Sequence, residues 1–182
     1  MTHDQQIKKL WLLQDAYAEK VAKHYNLADD GGYSIPLPAK PLFPYDGKAS
    51  SDQVHTYQQK VSSLLYATVI THPDLAKAAN ALAEFAMNPS ATHMDLVDCV
   101  VQHLFQTHFL ALEYGGPTHE VFLMASDAAF TDSVNHKSSE GYLCKLFGAV
   151  VDWKATQQHT VTTSTTEAEL LALSEAGCCL IW

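Results

Sequence analysis

Two segments near the C-terminal end hold the residues best suited to chemistry. Val121-Phe-Leu-Met-Ala-Ser-Asp127-Ala-Ala-Phe130 reads as a buried strand that delivers a carboxylate at its end. Thr162-Thr-Ser-Thr-Thr-Glu167-Ala-Glu169-Leu-Leu-Ala-Leu173 reads as a capped helix with carboxylates in its first turn. Carboxylates presented this way suit divalent-metal chemistry on a phosphodiester, because Mg²⁺ needs hard oxygen ligands and two such ions can clamp the attacking and leaving oxygens. Glu167 and Glu169 sit roughly 160° apart around a helix that turns ~100° per residue, so both cannot point at one metal. Glu167 suits the third position of a capping box with Ser164 as the cap. Asp132, in a loop, and Asp152, on a strand, read as solvated acids.

Other reactive side chains form no comparable pattern. Of His93, His103, His108 and His119, His103 and His108 are five residues apart, which is not the i, i+4 spacing of a helical metal pair, and His93 and His103 share no tight face, so the set reads as scattered surface or half-buried histidines. Ser126, Ser164 and the four cysteines show no nucleophile–base arrangement, which argues against covalent catalysis. The cysteines have no CxxC spacing and adjacent Cys178 and Cys179 are poorly placed to bond each other, which suits reduced, buried thiols in an intracellular setting, cytoplasmic or nuclear.

The elements that must position the two acids can be read from punctuation and periodicity. Gly141-Tyr-Leu-Cys-Lys-Leu-Phe147 and Val150-Val-Asp-Trp-Lys154 are strand-like runs between the first strand and the acidic helix, giving a three-stranded sheet and a helix. Upstream the chain reads as helical. Residues 4–26 fit an amphipathic helix with Ile7, Leu10, Trp11, Tyr17, Val21 and Tyr25 on one face and Asp4 as its cap. Residues 27–51 form a linker with Gly31, Gly32 and Pro36, Pro38, Pro41 and Pro44. Helices are expected at 52–69, from His72-Pro73-Asp74 to Asn88-Pro89, and at 92–109. Leu110–Tyr114 alternates as a strand, and Gly115-Gly116-Pro117 turns the chain. The expected fold class is α/β (α+β), with a helical region over 1–116 and a sheet-and-helix unit over 117–182. The tyrosines and tryptophan at helical spacing (Trp11, Tyr17, Tyr25, Tyr57, Tyr66) read as core rather than as a platform for stacked bases.

Totals narrow the function. The chain has 182 residues, 47% of them apolar, enough for a packed core. Its formal net charge is −9, with 11 basic residues that do not cluster. That balance opposes strong nucleic-acid binding, which depends on Lys and Arg neutralising phosphates. There is no apolar signal core at the start and no run of about 18 apolar residues, so no membrane partner is expected.

The order strand-Asp, strand, strand, Thr-rich turn, helix-Glu resembles a ribonuclease H domain, and the wording resembles the Ty1/copia-type retrotransposon Pol polyproteins. There a strand ending Ser-Asp-Ala-Asp-Trp is followed by a Ser-Gly-Tyr strand, an Ile-Ser-Trp strand and a Ser-Ser-Thr-Glu-Ala-Glu helix start. Leu13–Tyr25 resembles the helix after the polymerase palm of that family's reverse transcriptase. Tyr57–Leu75, with Val61, Ser63-Leu64-Leu65-Tyr66 and His72-Pro73-Asp74, resembles its thumb and connection segment, and Asn88-Pro89-Ser90…His93 matches its Asn-Pro-x-x-x-His element. The resemblance implies a thumb/connection-like region over 1–116 and a C-terminally truncated ribonuclease H-like domain over 117–182, with the palm lying before Met1.

The resemblance also assigns roles. Asp127 matches the first metal-binding, catalytic carboxylate, and Glu169 matches the second because Ala-Glu169-Leu-Leu-Ala fits the family phrase. The set is incomplete, since a third carboxylate would lie beyond Trp182. Two acids would hold Mg²⁺ weakly, so no cofactor is expected, with Mg²⁺ required if nuclease activity remains. The family's second Asp and Trp are here Ala129 and Phe130, and its Arg-rich approach to the second strand is thinned to Asn135-His136-Lys137. These departures imply a catalytically inactive, domesticated protein acting as a self-associating scaffold, a pseudoenzyme that meets an RNA–DNA hybrid weakly if at all. The alternative is a Mg-dependent ribonuclease H whose ligands are completed by a partner chain. Without the strand that would follow the Glu helix, residues 121–127 keep an unpaired edge. That edge and the apolar tail Cys178–Trp182 favour a homodimer, unless Leu110–Tyr114 fills the edge within one chain.

Overall fold

The computed structural model describes residues 1–28, 35–38, 41–115, 121–132 and 135–181, with the Ile181 side chain excepted. The chain is mixed α and β, with helices and two three-stranded antiparallel sheets. It divides into two compact units, Leu13–Ala111 and Met1–Leu12 together with Leu112–Trp182.

The helical unit is built from α1 (Asp15–His24), α2 (Ser51–Ile70), α3 (Ala76–Ala83) and α4 (Ala91–Gln106). Two capping boxes fix where the long helices begin. Ser50 Oγ accepts from the Gln53 amide at 3.2 Å while Gln53 Oε1 accepts from the Ser50 amide at 3.0 Å. At α4 the same exchange joins Ser90 and His93. Each box satisfies two amides that the first helical turn leaves without intrahelical partners. Pro73 follows α2 and opens a short 3₁₀ turn, Pro73–Leu75, that leads into α3. The four helices bury one core of Ala18, Val61, Leu64, Leu82, Val97, Val101, Leu104 and their neighbours. Tyr57 is wholly buried in it, and its hydroxyl donates to the Leu82 carbonyl at 2.8 Å. Residues 41–49 between α1 and α2 carry no helix or strand, as the prolines require, whereas Gly31 and Gly32 lie outside the described residues.

The expected helix over 4–26 forms only from Asp15 onward. Residues before it make a hairpin, β1 (Thr2–Asp4) and β2 (Lys9–Leu12). Asp4 does cap, but it caps a turn: its Oδ1 accepts from the Gln6 and Ile7 amides, and Lys8 follows with φ 54°. Long-range pairing then outweighs helical periodicity. β2 aligns with β3 (Leu112–Gly115), and Glu113 receives Lys9 Nζ at 2.5 Å and Trp11 Nε1 at 2.9 Å.

The second sheet is the meander β4 (Phe122–Ala129), β5 (Ser139–Leu146), β6 (Ala149–Gln157), in that order. Phe147 and Gly148 join β5 to β6 with φ of 50° and 78°, the backbone that a two-residue type I′ hairpin demands. Helix α5 (Thr165–Ile181) packs on this sheet, mainly over β4. It does so with small side chains: Ala168, Ala172 and Ala176 are its buried apolar positions. The expectation of a buried strand at 121–127 needs correcting. Val121, Phe122 and Leu123 are exposed, because among the described residues β4 pairs with β5 alone and is the outer strand of its sheet. The tail from Cys178 to Ile181 is the last turn of α5 rather than a free segment. Among the described residues no helix is long and apolar enough to cross a membrane.

Candidate functional site

Strand β4 delivers Asp127 two residues before its end, opposite Gly141 of β5. Alternation decides its side. Residues 123, 125 and 127 are exposed, whereas 124, 126 and 128 are half-buried under α5. The helix-covered face is identified by Tyr142, the register partner of Ser126, whose hydroxyl receives Cys179 Sγ–H at 3.2 Å. Asp127 therefore belongs with Leu123 and Ala125 on the face away from α5.

Glu169 lies in the first turns of α5 and is exposed. At ~100° per residue it stands roughly 100° from Ala168, one of the sheet-facing alanines. Asp127 and Glu169 thus issue from different faces of the β4–α5 layer. Among the described residues neither makes a hydrogen bond or an ion pair, and no three His, Cys, Asp or Glu side chains come together as a metal-holding group. A two-metal Mg²⁺ centre does not fit the acids gathered here, since Mg²⁺ demands near-octahedral oxygen ligation.

The remaining acids have structural work. Glu167 closes the start of α5: Ser164 Oγ accepts from its amide at 3.2 Å, and its carboxylate accepts from the Thr163 amide at 2.7 Å and the Thr163 hydroxyl at 2.8 Å. Those Thr163 hydrogen bonds hold its carboxyl below the ordinary range. Glu167 reaches back one residue further than a capping box with Ser164 requires. Asp132 accepts from the Ser139 amide and hydroxyl at 2.9 and 2.6 Å, pinning the loop ahead of β5. Asp152 accepts from the Tyr142 hydroxyl at 3.1 Å.

The histidines are likewise dispersed. His93 caps α4 and stacks on Phe85 with ring centroids 4.2 Å apart, and burial pushes its imidazole below the ordinary value. His103 lies 3.7 Å from Asp74, and His108 Nδ1 lies 2.5 Å from the Phe105 carbonyl oxygen. His119 falls outside the described residues. Tyr17 packs against Tyr66 at 4.9 Å and donates to the Ser63 carbonyl, a structural contact within the helical unit.

One cluster has no counterpart in the sequence reading. Beneath α5, Tyr142, Asp152 and Cys179 are joined by hydrogen bonds, and Lys154 donates to Glu175 at 2.5 Å. Desolvation first, then Cys179 and Asp152, raise the Tyr142 phenol. Burial raises the Cys144 thiol, with Asp152 adding to it. Both groups are kept protonated, which marks a structural clasp between helix and sheet.

Comparison with known proteins gives the ancestry. The chain is 33% identical over 182 residues to the retrovirus-related Pol polyprotein from transposon TNT 1-94 of Nicotiana tabacum, covering 96% of this chain and 14% of that protein. It is 26% identical over 175 residues to the transposon Ty1-LR3 Gag-Pol polyprotein of Saccharomyces cerevisiae, covering 90% of this chain and 10% of that protein. It is also 37% identical over 127 residues to the secreted RxLR effector protein 161 of Plasmopara viticola, covering 69% of this chain and 89% of that protein. The chain belongs to the Ty1/copia-type retrotransposon Pol family. No family model matches, and no solved structure matches. In this copia-type chain β4 ends at Ala129, and Phe130 follows it. Ala129 is half-buried opposite Ser139, and Phe130 is exposed.

Proposed function

We propose that this copia-derived chain is a ribonuclease H-like protein that does not cut nucleic acid and acts by self-association, as a scaffold. The observation that carries this reading is the dispersal of its acids. Asp127 and Glu169 leave the β4–α5 layer on different faces, and the nearby Asp132, Asp152 and Glu167 are engaged in hydrogen bonds that hold loops, strands and the α5 cap. The net charge of −9 supports it as well, since it disfavours an RNA–DNA hybrid at physiological salt. On this reading residues 1–116 are the thumb/connection-like part and 117–182 the ribonuclease H-like part, in a cytoplasmic or nuclear protein.

A second reading is a Mg²⁺-dependent ribonuclease H completed by a partner chain. One observation favours it: the carboxylates of Asp127 and Glu169 are both exposed and uncommitted among the described residues. Incubation of the purified chain with an RNA–DNA hybrid in Mg²⁺ or Mn²⁺ separates the two. The scaffold reading expects no cleavage above a buffer control. Robust cleavage that disappears in Asp127→Asn overturns it in favour of the second.

A further inference from the structure

We infer that His93 is an acid-sensitive latch: when its ring takes a second proton, the segment 41–49 and the first turn of α4 are released while the core beneath them stays folded.

Residues 41–49 lie as a strap across the turn between α3 and α4. Asn88 holds the strap at three points, its Oδ1 accepting from the Ala49 amide at 2.9 Å and its Nδ2 donating to the Tyr45 and Gly47 carbonyls at 3.0 and 2.9 Å. A further anchor is His93, whose ring is hydrogen-bonded to the Phe43 backbone. The same ring stacks on Phe85, in the turn that follows α3, with centroids 4.2 Å apart and planes 23° from parallel. One imidazole thus joins the strap, the turn and the start of α4.

Each ring nitrogen has a fixed role. Nδ1 accepts from the Ser90 amide at 3.1 Å, the returning half of the capping box that starts α4. A neutral imidazole has one acceptor and one donor nitrogen, so the proton sits on Nε2 and is given to the Phe43 carbonyl. A second proton makes Nδ1 a donor. It then sets N–H against the Ser90 N–H, and the capping exchange is lost. The cation cannot stay in place either, because His93 is only 2% exposed and the charge would be stripped of water. Burial pushes the imidazole below its ordinary value, and the Phe43 carbonyl, which favours the cation, offsets this only in part. The charged ring therefore swings to solvent. It gives up the Ser90 and Phe43 bonds together and bares the face of Phe85.

No neighbouring charge rescues the cation. Asp46 and Lys48 of the strap, Glu84 beside Phe85 and Asp95 of α4 are exposed. From α2, Tyr57 is kept protonated by burial and Lys60 is bound to Asp98. Asp74 and Glu19 of α1 lie toward His103 and His108, at the far end of α4. The state of the ring follows from burial and then the Phe43 carbonyl. A depressed imidazole contributes stability that is whole above its unfolded value, ~6.5, and is lost as pH falls below that toward the folded value. The latch is closed at neutral pH and opens in mild acid.

Hydrogen exchange of the full chain tests this between about pH 7.5 and pH 5, on either side of the ordinary imidazole value, with correction for the intrinsic pH dependence of exchange. Peptides covering residues 41–49 and 90–94 should lose protection by up to about tenfold per pH unit below ~6.5, the slope of a single proton. Peptides within α2 and the middle of α4 should keep theirs. His93→Gln should stay protected at both ends of the range, because Gln at that position closes a capping box without titrating. A strap that ignores pH overturns the latch. So does a loss of protection that is equal in His93→Gln, or one that spreads over the whole helical unit at once. Where His93→Gln fails to fold, imidazole NMR of the native chain decides. The Nε2–H tautomer is expected at neutral pH, with a titration midpoint that matches the opening of the strap. The Nδ1–H tautomer, or a midpoint unrelated to the opening, overturns the proposal.

Discussion

Lys154 of β6 donates to Glu175 of α5 across 2.5 Å, and this pair helps fix which flank of the helix faces the sheet. The pair reaches over β5, so it also ties the helix to the far side of the meander. Both carboxylate and ammonium are shifted toward their charged forms by the hydrogen bond between them, Glu175 downward and Lys154 upward.

The pair's contribution to stability should be modest. The side chains are 36% and 40% exposed, so solvent screens them. Lys154→Met and Glu175→Gln should each cost about 0.5–1 kcal/mol, with a coupling energy of similar size in the double-mutant cycle. Urea unfolding of the four proteins measures it. Additive effects would show that the pair does not hold the helix.

The start of α5 should loosen in acid. The Thr163 hydrogen bonds depress the Glu167 carboxyl in the folded chain. A depressed carboxyl contributes stability that is present above its unfolded value, ~4.3, and is lost as pH falls through the folded value. Amide exchange at residues 165–168 should therefore accelerate below about pH 4, and Glu167→Gln should show that faster exchange already at neutral pH. Exchange at these amides that ignores both changes would remove Glu167 from the cap.

How much was legible followed the range of the interactions. Helices expected at 52–69 and 92–109 form at Ser51–Ile70 and Ala91–Gln106, because apolar periodicity is a local signal and the Ser50–Gln53 and Ser90–His93 capping boxes that start them are local as well. The meander and α5 were legible from alternation and from the Thr162–Thr166 run. The β1–β2 hairpin was not, because Lys9 and Trp11 are held by Glu113, over a hundred residues away, and no local periodicity reports that pairing. For the site, the positions of Asp127 on a strand and Glu169 on a helix were clear, but their relative faces depend on which set of β4 residues α5 covers. That is decided by Cys179–Tyr142 and Lys154–Glu175, contacts between elements.

Stability should be concentrated in the helical unit. Leu82 is wholly buried and receives no water, so Leu82→Ala should cost about 2–5 kcal/mol through lost contacts and a residual cavity. Leu173→Ala, at a position 60% exposed, should change the unfolding free energy of the monomer by less than about 0.5 kcal/mol. Denaturant titration at low protein concentration compares them. Equal losses would mean that Leu173 packs within its own chain.

The N-terminal sheet depends on one glycine. Gly115 ends β3 with φ 91°, a backbone that side chains with a Cβ rarely adopt, and an added Cβ would stand 2.2 Å from the Lys8 carbonyl oxygen. Gly115→Ala should therefore open the β2–β3 ladder at its Lys9 end, and fluorescence of Trp11 should report the loss of its Glu113 contact. An unchanged Trp11 signal would show that β2 holds its place without β3.

Magnesium should leave the folded chain indifferent. A ligand that binds only the native state raises stability by RT ln(1 + [L]/Kd), about 2.7 kcal/mol at a hundredfold excess over Kd. A true two-metal site would give a shift of several degrees at millimolar Mg²⁺. Asp127 and Glu169 lie on different faces, and among the described residues no third acid joins either, so each can offer only a single exposed carboxylate. A lone carboxylate competes poorly with the water shell that Mg²⁺ gives up reluctantly. Melting curves with and without millimolar Mg²⁺ should therefore superimpose, for the native chain and for Asp127→Asn alike. A Mg²⁺-dependent rise that Asp127→Asn abolishes would mean that the two acids do converge on one ion, and the partner-completed ribonuclease H would become the better account.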